Sequence, residues 1–233
     1  MELEGSEAHH LLHVLRANVG DRIGLFNGQG DEAIAVIVEV SKRSAQLRIN
    51  ECWTTPPEVR QLVLATALPK GDRADWLIEK ATELGVTRFI PLRTARSVVE
   101  PREAKLQRLE QVAVAACKQC GRSRLPKIDT LTPLSDVLRE FSETSTGRLL
   151  LADPCAEQSL GDYFDSLHDL RFTIIALIGP EGGFTAEERT AAITAGATPV
   201  RLGKHILRVE TAAVAVSAAW ALHEATAQLP DAL

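Results

Sequence analysis

The 233-residue chain carries a net charge of −5, and its composition is rich in aliphatic residues and poor in aromatic ones. This length allows one large hydrophobic core, or a medium core beside a small one, and the aliphatic bias favours an α/β interior over a β-sandwich. The acidic N-terminus does not resemble a signal peptide, and no apolar run approaches the roughly 20 residues of a membrane span, so we expect a soluble, cytoplasmic protein.

The first predicted element is a short helix, "AHHLLHVLR", whose apolar side consists of Leu11, Leu12, Val14 and Leu15. The three histidines could suggest a metal pair. However, no nearby carboxylate or cysteine completes a ligand set, so we predict a helix that faces RNA or solvent, and no metal.

Three β-type runs follow, "RIGLFNG", "EAIAVIVEVS" and "SAQLRINEC", separated by turn residues. This pattern is typical of a small β-barrel, which we place in residues 1–54. The consecutive prolines of "TTPPEV" interrupt both helix and strand, so we predict a linker over residues 55–60.

From Gln61 onward the pattern changes to strands that alternate with helices. The predicted strands are "LVLATAL", "RFIPL", "RLLLA", "FTIIALI" and "TPVRL", and a long helix is predicted from about Arg102 to Cys120. Such alternation indicates a mostly parallel sheet covered on both faces, and we assign it to a second domain, residues 61–233. Ligands of such sheets bind beyond the carboxyl ends of the strands.

Charge is distributed unevenly along the chain. Residues 60–127 contain 14 Lys and Arg against 7 Asp and Glu, whereas the rest of the chain contains 12 against 24. This asymmetry predicts a basic face on an acidic body, suited to phosphates. The segment also contains the pair Cys117 and Cys120, but a second pair at zinc spacing is missing, so we predict ordinary reduced thiols.

The strand "FTIIALI" ends in a glycine-rich loop, "GPEGGF", and a helix follows. Thr185 and Glu188 have the spacing of a capping box, which predicts that the helix begins directly after the loop. No ATP-binding or dinucleotide-binding glycine motif is present, and Glu181 would repel phosphate. The loop therefore suits a neutral or cationic ligand held by backbone groups.

A second loop, "LGKHILRVETAA", leaves the last predicted strand and enters an alanine-rich helix. This helix is apolar on nearly every side from Val209 to Leu222. Such a helix is either deeply buried or shared with a partner subunit. In a chain of this length we expect a symmetric homodimer.

Together, "IGPEGGFTAEE" and "LGKHILRVETAA" resemble the paired C-terminal motifs of the RsmE-type rRNA uridine-N3 methyltransferases of the SPOUT superfamily. The resemblance extends to "HHLLHVLRANVGDRI", "KGDRADWLIEKATELGV" and "QCGRSRLPKI" in the same order. It implies an α/β fold, a SPOUT-type parallel sheet with a C-terminal trefoil knot, preceded by a PUA-like RNA-binding barrel. It also implies a homodimer, S-adenosylmethionine as methyl donor, and 16S rRNA of the small ribosomal subunit as substrate.

The resemblance further implies site residues. Those expected to bind the cofactor are Leu151, Ala152, Ile178, Gly179, Pro180, Glu181, Gly183, Leu202, Gly203, Ile206, Leu207, Arg208, Thr211 and Ala212. Those expected to contact RNA are His10 and Arg16, which match the family's pattern, Arg22, and the basic-segment residues Lys70, Arg73, Arg96, Arg122 and Arg124.

Methylation of uridine N3 requires loss of a proton from that nitrogen, so a base or a group that stabilises negative charge is needed. Arg208 is the candidate for charge stabilisation, and Glu181 and Glu210 are the candidate bases. Each has an ordinary alternative. Arg208 could form a structural ion pair, Glu181 could anchor its loop, and Glu210 could be a favourable anion at a helix start.

One departure from the family pattern concerns the N-terminus, where an acidic stub, "MELEGSE", stands in place of a basic strand. We therefore expect an incomplete barrel. Two other functions stay open from the sequence: a non-catalytic RNA-binding factor in ribosome assembly, and a SPOUT methyltransferase that acts on a different RNA.

Overall fold

The chain divides into two compact units, Met1–Pro57 and Glu58–Leu233. The computed structural model describes residues 1–142, 147–167 and 172–227, so residues 228–233 of the expected second domain lie outside the described part. The expected linker, residues 55–60, is therefore divided, because residues from Glu58 onward belong to the second unit. There the Nε atom of Arg60 lies 2.9 Å from Glu224 Oε1.

The N-terminal unit is a four-stranded antiparallel sheet. Its strands are β1 (Glu2–Leu3), β2 (Arg22–Phe26), β3 (Asp31–Val40) and β4 (Ala45–Thr54), in the order β1-β4-β3-β2. Its small core consists of Leu11, Ala35, Ile37, Ala45 and Leu47. The three predicted β-runs are therefore confirmed as β2, β3 and β4.

The acidic N-terminus contributes a strand that the sequence did not predict. Leu3 of β1 pairs with Ala45 of β4. The amino group of Met1 donates to Leu47 O over 3.0 Å, and Leu47 N donates to Met1 O over 2.8 Å. These backbone bonds do not depend on side-chain type, which explains why an acidic segment can extend the sheet.

The predicted N-terminal helix consists of two parts, and it buries fewer of its apolar side chains than expected. A helix, α1 (Gly5–His9), continues directly into a π-helical turn (His10–Val14). Leu11 is buried, whereas Val14 and Leu15 are 60% and 62% exposed. The wider π-turn changes the angular spacing of the side chains, so the four apolar residues do not share one buried face.

The C-terminal unit is a parallel sheet with helices between its strands. The strands are β5 (Gln61–Thr66), β6 (Arg88–Arg93), β7 (Lys127–Ile128), β8 (Thr132–Pro133), β9 (Gly147–Ala152), β10 (Thr173–Ile178) and β11 (Thr198–Val200). The helices are α2 (Arg73–Glu83), α3 (Glu103–Cys120), α4 (Leu134–Ser142), α5 (Leu160–Asp165), α6 (Ala186–Thr194) and α7 (Val209–Ala227). The strand order is β11-β9-β10-β5-β6-β7, and β8 pairs with β6.

Helices cover both faces of this sheet. Along β5, Leu62 and Leu64 belong to a core with residues of α2, α3 and α7, whereas Val63 and Ala65 belong to a second core with residues of α4. Successive side chains of a strand point to opposite faces, so a strand covered on both sides is apolar throughout. This arrangement explains the unbroken apolar runs in the sequence.

Arg122 closes the C-terminal end of α2. Its Nη1 atom donates to Thr82 O over 3.1 Å and to Val86 O over 2.7 Å, and its side chain is only 12% exposed. The last carbonyls of a helix lack intrahelical partners, and a cation near them is stabilising.

Among the described residues, no helix is long and apolar enough to cross a membrane.

We expect Arg122→Gln to lower the free energy of unfolding by about 1–3 kcal/mol, because buried carbonyls lose a charged donor. Arg102→Gln is the matched control, since Arg102 is exposed at the start of α3 and makes no side-chain cap bond. The control should change stability by less than about 0.5 kcal/mol. Urea denaturation measures both variants, and equal stabilities would contradict the capping role.

Candidate functional site

A cavity of about 350 Å³ lies at the carboxyl ends of β9, β10 and β11. Three loops form its walls: residues 153–154 after β9, residues 179–184 after β10, and residues 202–207 after β11. The start of α7 contributes Val209 and Ala212. Both motif loops that the sequence singled out therefore border the same cavity.

The glycines of loop 179–184 meet different steric demands. Gly183 has φ +68°, a left-handed conformation that side chains disfavour, and its amide donates to Pro180 O over 2.8 Å. A Cβ on Gly179 would lie 3.1 Å from the Phe184 ring. A Cβ on Gly182 would lie 3.2 Å from Arg96 Cδ. The loop thus needs glycine for its own packing, in addition to any ligand contact.

The loop is held from outside the cavity by the segment after β6. Arg96 Nη1 donates to Gly182 O over 2.6 Å. The predicted capping box of α6 is present, since Thr185 and Glu188 each accept from the other's backbone amide. Glu188 Oε1 also accepts from Ala95 N over 2.7 Å. One carboxylate therefore caps the helix and fixes the segment that carries Arg96.

The two candidate bases share one arginine. Arg73 Nη1 donates to Glu210 Oε1 over 3.2 Å, and Arg73 Nη2 lies 3.9 Å from Glu181 Oε1. Glu210 is 6% exposed, and its Oε2 atom has no hydrogen-bond partner within the described part of the chain. Glu181 is half-exposed and lines the cavity, whereas Glu210 does not. The two carboxylates are therefore unequal in access to a ligand.

Most residues predicted to bind the cofactor line this cavity, and Arg208 and Thr211 are the two that do not. Arg208 is exposed, and it lies between Leu207 and Val209, which do line the cavity. Ile206 is 87% exposed, although it is a large apolar side chain.

Sequence reasoning missed two charged residues of the cavity, Asp153 and Arg189. Arg189 Nε donates to Asp153 Oδ2 over 2.6 Å, and Asp153 Oδ1 accepts from Cys155 N over 2.9 Å. A signal was available, because Asp153 directly follows the buried strand β9, at the sheet edge where ligands bind. His205 was also missed and is exposed.

The predicted RNA contacts fall into three groups. Arg96 donates to Gly182 of the loop 179–184, and Arg73 lies beside Glu181 of that loop and donates to Glu210. Arg122 donates to carbonyl groups at the end of α2. Those placements favour structural roles for the three arginines over free RNA contacts. The remaining residues are exposed or half-buried: His10, Arg16, Arg22, Lys70 and Arg124. Arg22 lies 3.6 Å from Glu51 in an exposed ion pair.

A family model described as "RNA methyltransferase domain" matches residues 56–221, and one described as "RNA methyltransferase PUA domain" matches residues 3–50. The chain belongs to the RsmE-type RNA methyltransferases. It is 34% identical to ribosomal RNA small subunit methyltransferase E of Synechocystis sp., over 90% of this chain and 69% of that protein. The ribosomal RNA small subunit methyltransferase E of Bacillus subtilis is 30% identical, over 90% of this chain and 85% of that protein.

Solved structures agree with this membership. A ribosomal RNA small subunit methyltransferase E from Neisseria gonorrhoeae, bound to S-adenosyl methionine, superposes with a TM-score of 0.83. It is 32% identical and covers 94% of this chain and 90% of its own. A methyltransferase of Legionella pneumophila with bound SAM gives a TM-score of 0.82 at 31% identity, covering 97% of this chain and 91% of its own. The α/β fold with a parallel sheet and a PUA-like unit is thereby confirmed.

No group of three or more potential metal ligands occurs among His, Cys, Asp and Glu within residues 1–142, 147–167 and 172–227. The four cysteines are free thiols in the structure. Burial raises the pKa of the Cys117 thiol to about 11, which leaves it protonated at neutral pH.

Gly183→Ala should lower the free energy of unfolding of the unit Glu58–Leu233 by about 1–2 kcal/mol, because alanine is strained at φ +68°. Gly203→Ala is the control from the second loop. Gly203 has no positive φ, and a Cβ there would meet nothing within 4 Å. Thermal melting measures both variants. Equal melting temperatures would show that the left-handed conformation of Gly183 is not required.

Proposed function

We propose that this protein transfers the methyl group of S-adenosylmethionine to N3 of a specific uridine in 16S rRNA of the small ribosomal subunit. The observation that carries the proposal is the meeting of both motif loops, 179–184 and 202–207, at one cavity on the sheet edge. Its relatives are named as small-subunit rRNA methyltransferases, and the Neisseria structure contains the cofactor. Such a modification takes place in the cytoplasm.

The lining of the cavity suits this cofactor. Its volume of about 350 Å³ lies in the range of small-molecule sites. Leu202, Ile206 and Leu207 offer aliphatic surface for a purine, beside the glycines of the two motif loops. The carboxylate of Glu181 also lines it, and negative charge there favours a ligand that carries a sulfonium cation.

When bound, S-adenosylmethionine supplies an electrophilic methyl group, which an aligned nucleophile displaces from sulfur. The chain must align the uridine, exclude water and remove the proton from N3. Glu181 is the base that the geometry favours, because its carboxylate lines the cavity and is half-exposed. Arg73, 3.9 Å away, limits the positions open to that carboxylate.

Glu210 is better placed as a structural anion. It is buried in the first turn of α7, and Arg73 donates to it. An anion at a helix N-terminus is favourable, and a partly buried arginine–carboxylate contact restrains both partners. Glu210 therefore orients Arg73, and through Arg73 it restrains Glu181.

Arg208 serves to stabilise negative charge on the uracil ring. Its side chain is exposed and its neighbours line the cavity, so a guanidinium there can reach a base that enters from solvent. The charge that develops on the uracil carbonyls as N3 loses its proton is the kind that a nearby arginine stabilises.

RNA contacts are proposed for both units. The residues proposed for them are His10, Arg16 and Arg22 in the unit Met1–Pro57, and Lys70 and Arg124 in the unit Glu58–Leu233. We assign RNA binding to residues 1–54 and methyl transfer to residues 61–233. The family's trefoil knot is proposed for the segment from β9 to α7, which carries all three walls of the cavity.

A homodimer is proposed from the outer face of α7. Its inner face packs in the core through Ala213, Val216 and Trp220. The opposite face consists of Thr211, Ala215, Ala218 and Leu222, of which Leu222 is 71% exposed. This face combines small side chains with one exposed large apolar residue, and a helix face of that kind suits a second copy of the same helix. Ala219, by contrast, packs partly against the core of its own chain.

The first test is mass spectrometry of small-subunit rRNA nucleosides from cells that lack this protein. We expect N3-methyluridine to disappear, to return with the wild-type chain, and to stay absent with Glu181→Gln. In vitro, Glu181→Gln should lower turnover about 10²–10⁴-fold while cofactor affinity changes little, because a base acts only in the transition state. High pH should recover part of the loss, since uridine then ionises by itself.

Three other outcomes would contradict this assignment. Persistence of N3-methyluridine in the deletion strain would remove the substrate. RNA binding without S-adenosylmethionine binding would indicate a non-catalytic assembly factor. A parallel fall of affinity and turnover in Glu181→Gln, without recovery at high pH, would reduce Glu181 to a loop anchor.

Ala215→Arg should yield monomers with weakened cofactor binding, because it inserts a charge into the outer face of α7, where the second copy is proposed to pack. Gln111→Arg is the control, since Gln111 is exposed on α3. Sedimentation of each protein at micromolar concentration gives the oligomeric state. A monomeric wild-type protein would remove the homodimer from the proposal.

A further inference from the structure

The cavity contains one charged pair that lies outside both motif loops, Asp153 and Arg189. Asp153 is the first residue after β9, which lies between β10 and β11 in the sheet. Its side chain is 11% exposed. Because its neighbouring strands carry the two motif loops, Asp153 stands between those loops at the edge of the sheet.

The Asp153 carboxylate is held in one orientation. Cys155 N donates to Oδ1 over 2.9 Å, and Arg189 Nε donates to Oδ2 over 2.6 Å. Arg189 is itself placed by α6, whose capping box begins four residues earlier, at Thr185. A carboxylate can accept about four hydrogen bonds in all, so each oxygen keeps the capacity to accept another.

The charge of the pair limits what it can bind. Arg189 compensates the carboxylate, and a second cation on Asp153 would be repelled by the guanidinium beside it. A neutral hydroxyl donor meets no such repulsion and gains a charge-assisted hydrogen bond. An adenosyl cofactor offers two kinds of neutral donor, the vicinal hydroxyls of its ribose and the amino group of its adenine, and hydroxyls form the shorter hydrogen bonds to a carboxylate. In the dinucleotide-binding α/β fold, which lacks the loops described here, an acidic residue binds a ribose hydroxyl in the same way.

We propose that Asp153 accepts hydrogen bonds from the ribose hydroxyls of the adenosyl cofactor, and that Arg189 is the positioning residue that orients Asp153. The inference rests on the proposed function, since it assigns one part of the same cofactor. It assigns the ribose to the β9 side of the cavity and leaves Glu181 to act at the methyl-transfer end.

The test is calorimetric binding of S-adenosylhomocysteine and of its 2′-deoxy and 3′-deoxy analogues. The wild-type protein should bind at least one deoxy analogue about tenfold or more weakly, as expected for a lost hydrogen bond to a charged group. Asp153→Asn should bind the parent compound about tenfold more weakly and discriminate less than about threefold. Arg189→Gln should also lose discrimination, and Arg189→Lys should restore part of it.

Asp136→Asn is the matched control, because Asp136 forms a comparable pair with Arg139 on α4, 3.0 Å apart, and does not line the cavity. It should keep the full discrimination. If Asp153→Asn does not fold, Arg189→Gln and Arg189→Lys decide the question through the same ratio of affinities, that for the parent compound over that for each deoxy analogue. Unchanged discrimination in the Asp153 or Arg189 variants would overturn the inference, and so would wild-type protein that is indifferent to the deoxy analogues.

The proposed function fails by a different result. If wild-type protein binds neither S-adenosylmethionine nor S-adenosylhomocysteine, the cofactor assignment itself is wrong. If Asp153→Asn lowers affinity equally for parent and deoxy compounds, and discriminates as wild type does, Asp153 serves loop structure alone, while the cofactor assignment stands.

Discussion

The parallel pairing of β9 with both β10 and β11 is the constraint on which the site depends. Parallel neighbours end at the same edge of the sheet, so the loops that follow them converge there. The three walls of the cavity come from these three strand ends. Any antiparallel arrangement would place one motif loop at the opposite edge, about one strand length away.

Contacts from distant parts of the chain then hold the glycine loop. Arg96 bonds to Gly182 across 86 residues, and Arg73 bonds to Glu210 across 137. Glycine permits the close approach of backbone that a ligand needs, but it also leaves a loop with high conformational entropy in the unfolded chain. Hydrogen bonds and ion pairs from α2 and from the segment after β6 offset that entropy, and they keep the carboxylate of Glu181 at the cavity.

Local patterns explain which expectations the structure confirms. The apolar runs became the strands of the parallel sheet, and the spacing of Thr185 and Glu188 became a capping box at the start of α6. These features depend on residues a few positions apart. The N-terminal helix was less predictable, because a π-turn changed its periodicity, and β1 formed through backbone bonds that carry no sequence signature.

The sequence by itself determined the alternation of strands and helices, the two motif loops and the family, because each is encoded in short runs with fixed spacing. Only the tertiary structure decided the partner of each charge. Nothing local distinguishes Arg73, Arg96 and Arg122 from arginines that face solvent, yet each bonds to groups far away in sequence. The pairing of Asp153 with Arg189 was equally hidden. The identity of a charged side chain fixes what it can bind, and the packing of the fold fixes what it meets.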